Sequence, residues 1–160
     1  MEFAALDPKL HDRASFDCGV EALNLYLQRF ANQDMKRGLA RTYVLAEERS
    51  IVGYYSISAH AVPRDHLPAD LSAGPYLELP FLLLGRLAVD RARQGKGYGD
   101  LLIAHAFKTT RKVAGQVGIL GIVVDAKDDR AGGFYEGFGF RRLTGTKNRL
   151  VLTISAMDRA

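Results

Sequence analysis

The sequence predicts a mixed α/β (α+β) fold built on a mixed sheet. Three observations carry this. Apolar stretches of strand length, Phe81–Val89 and Ile119–Val124, alternate with stretches of helical period. A glycine-rich turn at 95–99 leads out of one strand and into a helix. Two short β-branched and aromatic runs are separated by a four-residue polar turn, as in a hairpin. The element order reads β-α-β-β-β-α-β-α-β.

Each element has its own signal. Phe3–Leu6 reads as an edge strand. Asp17 is placed as the N-cap of a helix from Val20 to about Lys36. Its apolar positions Val20, Leu23, Leu27, Phe30 and Ala31 share one helical face, and Gly38 ends it. Thr42–Ala46 and Ile51–Ser58 form the hairpin around Glu47–Ser50. Residues 60–80 hold Pro63, Pro68, Pro75 and Pro80 and read as an irregular loop, a length often tied to function. Phe81–Val89 is apolar enough for a central strand, and Gly85 within it marks a bulge or a close backbone approach. A helix then runs to about Gly115, and Ile119–Val124 is a buried strand. Asp128 or Asp129 caps a short helix through Phe138, which Gly139 closes in the left-handed region. Leu150–Ser155 is the last strand.

The composition narrows the class. At 160 residues and 48% hydrophobic, the chain fits one domain, 1–160, with a core of its own. Cys18 is the one cysteine, which excludes a disulfide framework and a cysteine-rich zinc module; no metal is expected. The segment Met1–Pro8 lacks a basic start and a long apolar run, and no stretch approaches the ~20 residues that span a bilayer. A cytoplasmic protein without membrane contact is the expectation. The net charge of +4 hides an asymmetry: residues 1–80 carry 8 Lys+Arg against 11 Asp+Glu, and residues 81–160 carry 14 against 7. The basic half suggests a phosphate-bearing partner.

Arg93-Gln94-Gly95-Lys96-Gly97-Tyr98-Gly99 is the most informative segment. Glycines let the backbone turn tightly, and a helix N-terminus offers unpaired N–H donors and partial positive charge. Together they suit a pyrophosphate. The G-x-G-x-G spacing is neither a Rossmann fingerprint nor a P-loop.

This segment resembles the acyl-CoA motif Gln/Arg-x-x-Gly-x-Gly/Ala of the GNAT N-acyltransferases, with Gln94, Gly97 and Gly99 filling it. A second stretch, Asp128 to Phe140, resembles the family pattern Asn-x-x-Ala-x-x-hydrophobic-Tyr-x-x-x-Gly-Phe, through Ala131, Phe134, Tyr135, Gly139 and Phe140; Asp128 stands where Asn is usual. The resemblance implies a mostly antiparallel sheet splayed at a bulge, with helices on both faces. It implies acetyl-CoA as cofactor, held by Leu87, Ala88, Val89, Gln94, Gly95, Lys96, Gly97, Tyr98, Gly99, Asp128, Phe134 and Tyr135. The phosphates would lie on the turn and the pantetheine arm along Arg86–Val89. Tyr135 would protonate the leaving thiolate. The backbone N–H of Val89 is the reading for the group that polarises the thioester carbonyl.

The stretch from His11 to Leu27, then Ala31-Asn32-Gln33-Asp34, Lys36-Arg37, Arg41–Val44 and Gly85–Asp90, resembles the acetyltransferase toxins of type II toxin–antitoxin modules, the TacT type. That implies acetylation of the α-amino group of aminoacyl-tRNA, which blocks translation. It also implies a ribbon-helix-helix antitoxin and a homodimer. The cationic candidates for tRNA contact are Lys36, Arg37, Arg41, Arg86, Arg91 and Arg93. Arg86 lies in an apolar strand, where an unpaired charge is costly, so it needs a specific partner. No general base stands out. His11, His60, His66 and His105 are candidates; His60 and His66 fall in the proline-rich loop, and His105 reads as a packing residue. Cys18 lacks the partners of a nucleophile. Two alternatives stay open: a GNAT enzyme acting on a small amine or a peptide or protein amine, and a non-catalytic CoA- or RNA-binding regulator.

Overall fold

The computed structural model describes residues 1–71 and 74–159. The elements are β1 (Glu2–Ala5), α1 (Glu21–Leu25), a π-helical turn (Tyr26–Phe30), α2 (Ala31–Lys36), β2 (Arg41–Glu47), β3 (Ser50–Pro63), β4 (Glu78–Val89), α3 (Tyr98–Ala114), β5 (Gly121–Asp125), α4 (Asp129–Glu136), β6 (Arg141–Arg142), β7 (Arg149–Thr153) and α5 (Ile154–Arg159). The strands follow the order β1-β2-β3-β4-β5-β7-β6. Neighbours are antiparallel at β1/β2, β2/β3, β5/β7 and β6/β7, and parallel at β4/β5. The mixed α/β reading holds. The chain divides into two compact units, one of residues 1–58 and 85–106, the other of residues 59–84 and 107 onward.

In the first unit, β1 is the predicted edge strand, paired with β2 from Glu2↔Ala46 to Ala5↔Tyr43. The core beneath gathers Leu6, Phe16, Tyr26, Leu27, Ala31, Val44, Ile51, Tyr54 and Ala88. The long helix after Gly19 is interrupted. Ala31 N–H donates to the Tyr26 carbonyl, a five-residue step that inserts one residue into the turn. That insertion rotates the apolar stripe. Leu27 and Ala31 are fully buried, whereas Phe30, predicted on the same face, is 51% exposed. The predicted cap is also corrected. Val20 occupies the N-cap position and no side chain caps the helix. Asp17 Oδ1 instead accepts from Gly19 N–H and from the buried Asn24 amide, which ties the preceding loop to α1. At Gly85 the close neighbour is a side chain and not backbone: a Cβ there would stand 3.2 Å from Ser56 Oγ.

In the second unit, β4 pairs with β5 over Leu82–Leu84 and β5 with β7 from Gly121↔Thr153 to Asp125↔Arg149. Val62, Leu67, Leu79, Phe81, Val123, Leu143 and Val151 form the core. β3 extends to Pro63, so the irregular stretch is shorter than predicted and holds 3₁₀ turns at Arg64–His66 and Ala69–Leu71. A terminal proline is compatible with a strand because it removes no interior ladder bond. His60 therefore lies in β3, not in the loop. Residues 72 and 73 of the predicted loop lie outside the described residues. Two elements were not predicted. β6 is two arginines, too short for any period to show. α5 begins where the last strand was expected to continue. Thr153 ends β7, and its hydroxyl accepts from Ala156 N–H, the bond of a helix N-cap.

Glycine decides two positions in this unit. A Cβ at Gly121 would overlap the Leu152 carbonyl oxygen and stand 2.7 Å from Thr153 Cα, whereas one at Gly133 would meet nothing within 4 Å. Gly121→Ala should cost about 3 kcal/mol or more, because backbone on the neighbouring strand has to move. Gly133→Ala should raise stability by about 0.5–1 kcal/mol through helix propensity. Urea unfolding of the two variants checks both signs.

Candidate active site

The first unit builds a turn at the end of β4 from hydrogen bonds that spend side chains on backbone. Asp90 follows the strand. Its Oδ1 accepts from Ala92 N–H at 3.0 Å and its Oδ2 from Asp17 N–H at 3.1 Å. Arg91 N–H donates in return to the Asp17 carbonyl at 2.8 Å. Gln94 donates its amide N–H groups to two carbonyls, Val89 at 2.9 Å and Cys18 at 3.0 Å. The side chain is thus engaged in shaping the turn. Gly95 and Gly97 have φ of +77° and +86°, with nothing within 4 Å of a Cβ at either. Glycine is required there by backbone angle, not by crowding. Gly97 leads directly into α3, whose first residues are Tyr98, Gly99 and Asp100. A left-handed residue next to helical ones makes a concavity of N–H groups, and the first N–H groups of a helix have no partner within it. The turn therefore fits a pyrophosphate, with Lys96 exposed beside it. Gly53, which carries no motif, supports the preceding strand: a Cβ there would stand 2.9 Å from the Ala88 carbonyl oxygen and from Leu102.

The second unit holds the second motif. Asp128 is the N-cap of α4, its Oδ1 accepting from Ala131 N–H at 2.8 Å. Asp and Asn serve equally as caps, so the departure from the family pattern is neutral for the helix. Gly132 approaches the Arg142 guanidinium, with Cζ 3.1 Å from a Cβ at that position. Gly139 has φ of +98°, as predicted. Tyr135 is 8% exposed and packs edge-on against Phe134 and Phe140. Burial pushes its phenol up to about 12, and its hydroxyl makes no hydrogen bond among the described residues. The group stays protonated through the neutral range, with a donor to spend. Phe134 is 37% exposed on the same helix.

The histidines are committed elsewhere. His11 is buried and its Nδ1 accepts from Asp7 N–H at 3.0 Å. His105, half-buried, stacks on Phe3 at 4.0 Å between centroids and its Nδ1 bonds the Tyr55 hydroxyl at 2.7 Å. That agrees with a packing residue. His60 Nε2 lies 2.8 Å from Arg149 Nη1, and Arg149 grips Asp125 at 2.6 and 2.8 Å. A guanidinium only donates, so Nε2 is the unprotonated nitrogen. Burial first, and then the Arg149 charge, hold the His60 pKa below its usual value. His66 Nδ1 is buried without a partner among the described residues. Cys18 is buried, and burial raises its thiol pKa, which fits no nucleophile.

All six cationic candidates lie in the first unit. Lys36, Arg37 and Arg41 are exposed around the α2–β2 connection and make no ion pair among the described residues. Arg91 stands 3.7 Å from Asp17 and Arg93 is 2.7 Å from Glu47. Arg86 has the partner its burial demanded: its guanidinium carbon lies 3.5 Å from the centroid of the Tyr26 ring.

The acetyltransferase (GNAT) domain model matches residues 38–142. The chain belongs to the GNAT acetyltransferases. Among curated proteins, this acetyltransferase is 33% identical over 129 residues to the tRNA-acetylating toxin of Mycobacterium tuberculosis H37Rv, covering 81% of this chain and 78% of the other. It is 28% identical over 163 residues to the probable toxin TacT of Sinorhizobium fredii NGR234, covering 95% and 90%. Among solved structures it matches AtaT complexed with acetyl-methionyl-tRNAfMet, with a TM-score of 0.91, 33% identity and 99% and 97% coverage. It also matches a tyrosine-to-phenylalanine mutant of AtaT bound to the C-terminus of the antitoxin AtaR and acetyl-CoA, with a TM-score of 0.84, 31% identity and 99% and 96% coverage.

Two measurements test these hydrogen-bond networks. Asp90→Ala strands the N–H groups of Asp17 and Ala92 and should cost about 1–3 kcal/mol in urea unfolding. In an NMR titration His60 should change charge below the usual histidine range. Arg149→Gln should move that midpoint upward by removing a like charge.

Proposed function

We propose that this chain is an acetyl-CoA-dependent N-acetyltransferase toxin that acetylates the α-amino group of aminoacyl-tRNA and so blocks translation. The observation that carries the reading is the likeness over nearly the whole chain to a toxin solved with acetyl-methionyl-tRNA. The basic residues of the first unit and the buried, protonated Tyr135 support it. We further read the chain as one acetyltransferase domain that forms a homodimer, acts in the cytoplasm and is neutralised by a ribbon-helix-helix antitoxin. Among the described residues no helix is long and apolar enough to cross a membrane.

The residue roles are those the family motifs imply, and the geometry of each unit supports them. The N–H groups from Gly95 to Gly99 hold the cofactor's pyrophosphate, and the backbone of Leu87, Ala88 and Val89 lies along the pantetheine arm. Bound acetyl-CoA supplies the acetyl group as an activated thioester. The Val89 N–H stabilises the charge that develops on the thioester oxygen, with the strand end fixed by Gln94 at the Val89 carbonyl. Tyr135 would donate its proton to the departing sulfur as the C–S bond breaks, and the proton shed by the amine as the C–N bond forms would return to the phenolate through solvent. A phenol pushed up to about 12 remains a donor through the neutral range. No described histidine is needed as a base, because the amine of an aminoacyl ester is less basic than a lysine and is more readily neutral.

Labelled acetyl-CoA incubated with total charged tRNA should label the tRNA fraction. Label confined to small amines or peptides would overturn the substrate assignment. Tyr135→Phe should lower the transfer rate by about 10²–10⁴-fold, the usual contribution of a positioned acid. Acetyl-CoA binding by calorimetry should stay within a few-fold.

A further inference from the structure

We propose that Tyr26 and Asp34 form a platform that holds the Arg86 guanidinium for a phosphate near the 3′ end of the tRNA. This rests on the aminoacyl-tRNA reading and names a residue group within that site. Arg86 is half-buried in β4, flanked by Leu84, Gly85, Leu87 and Ala88. Its guanidinium lies over the Tyr26 ring, at 3.5 Å. Among the described residues it has no carboxylate within ion-pairing distance and no hydrogen-bond acceptor. A ring face attracts the charge from one side but accepts none of the in-plane N–H groups. The donors of this permanent cation are thus left without a protein acceptor among the described residues. A phosphate oxygen pair is the acceptor that matches the guanidinium fork.

The platform is built, not incidental. Tyr26 is 5% exposed, and its hydroxyl donates to Asp34 at 2.8 Å. Burial and the Asp34 carboxylate push the phenol up to about 12, so it stays a neutral donor. Donation to a carboxylate enriches the ring that faces the cation. Asp34 is spent on Tyr26 and is not a counter-ion for Arg86. The π-helical turn begins at Tyr26 and brings it onto the buried side with Leu27 and Ala31. Such turns recur at functional sites. Ala31–Asp34 and Gly85–Asp90, two segments far apart in sequence and both typical of the toxin group, are thus joined through one ring.

Arg86 and Ala88 share one face of β4, opposite Leu87 and Val89. The Arg86 face also carries Tyr26, and α2 continues from Asp34 to the exposed Lys36 and Arg37. Lys36 and Arg37 are exposed cations just beyond Asp34, charge of the kind a polyanion such as tRNA takes.

The test measures binding of purified tRNA to the full chain across a salt series, with acetyl transfer to charged tRNA measured alongside. Arg86→Gln should lower the slope of log Kd against log salt by about 0.7, the value for one single-strand phosphate contact. Tyr26→Leu should reproduce that loss, and Tyr26→Phe, which keeps the ring, should recover most of it. Acetyl-CoA affinity should change less than two-fold in each and also reports folding. An unchanged slope in a folded Arg86→Gln overturns the proposal, as does a loss of acetyl-CoA affinity in place of tRNA affinity. No tRNA binding by the wild type overturns it too. Slope loss in a protein that binds tRNA but does not acetylate it supports Arg86 and defeats the aminoacyl-tRNA reading instead.

Discussion

The anchoring of the chain at the end of β4 is the constraint on which the cofactor turn depends. An anion cradle must leave its N–H groups unspent, so the turn cannot be held by the ordinary backbone ladder. Side chains have to hold it instead. Asp90 takes two N–H groups, Gln94 supplies two bonds to carbonyls, and the loop at Asp17–Cys18 is the wall they bind to. That wall is itself fixed by Asn24, whose amide bonds Asp17 and Cys18. The Asp17–Cys18 loop, held by Asn24, thus braces the glycine turn through Asp90 and Gln94. The same anchoring fixes Val89, whose N–H is assigned to the thioester oxygen.

The candidate residues are distributed over both units. The first carries the turn, the strand segment Gly85–Val89 and the basic residues. The second carries the buried Tyr135 and the cap at Asp128. Charge counted by sequence halves obscured this. The first unit takes residues 1–58 and 85–106, so it draws Lys36, Arg37 and Arg41 from the acidic half and Arg86, Arg91 and Arg93 from the basic one. His11, His60 and His105 are engaged in side-chain contacts, and His60 shows what that costs a base. Its Nε2 accepts from a cation that cannot accept in return, which removes the lone pair a base would use.

Much of the fold was legible because it rests on period and punctuation. The strands Thr42–Ala46 and Phe81–Val89, the glycine turn and the cap of α4 all appear where apolar runs, glycines and Asp128 put them. The helix after Gly19 was legible as a helix but not in phase, because a π turn leaves no mark on composition and displaces Phe30 outward. Asp17 looked like a cap because it precedes a helix, yet its partners come from Asn24 and the loop. Thr153 is equally at home in a strand and at an N-cap, so α5 was hidden. Within the site, Gly95, Gly97 and Tyr135 were legible from motifs. Asp90, Gly53 and Tyr26 were not, since their roles arise from contacts across more than 30 residues of chain.

The most direct test of the central claim identifies the product. Charged tRNA treated with the protein and acetyl-CoA is digested with nuclease and analysed by mass spectrometry. The expected species is adenosine esterified to an N-acetylated amino acid, absent when Tyr135→Phe replaces the wild type. Unmodified aminoacyl-adenosine, with the acetyl group found on a free amine or a protein, would contradict it.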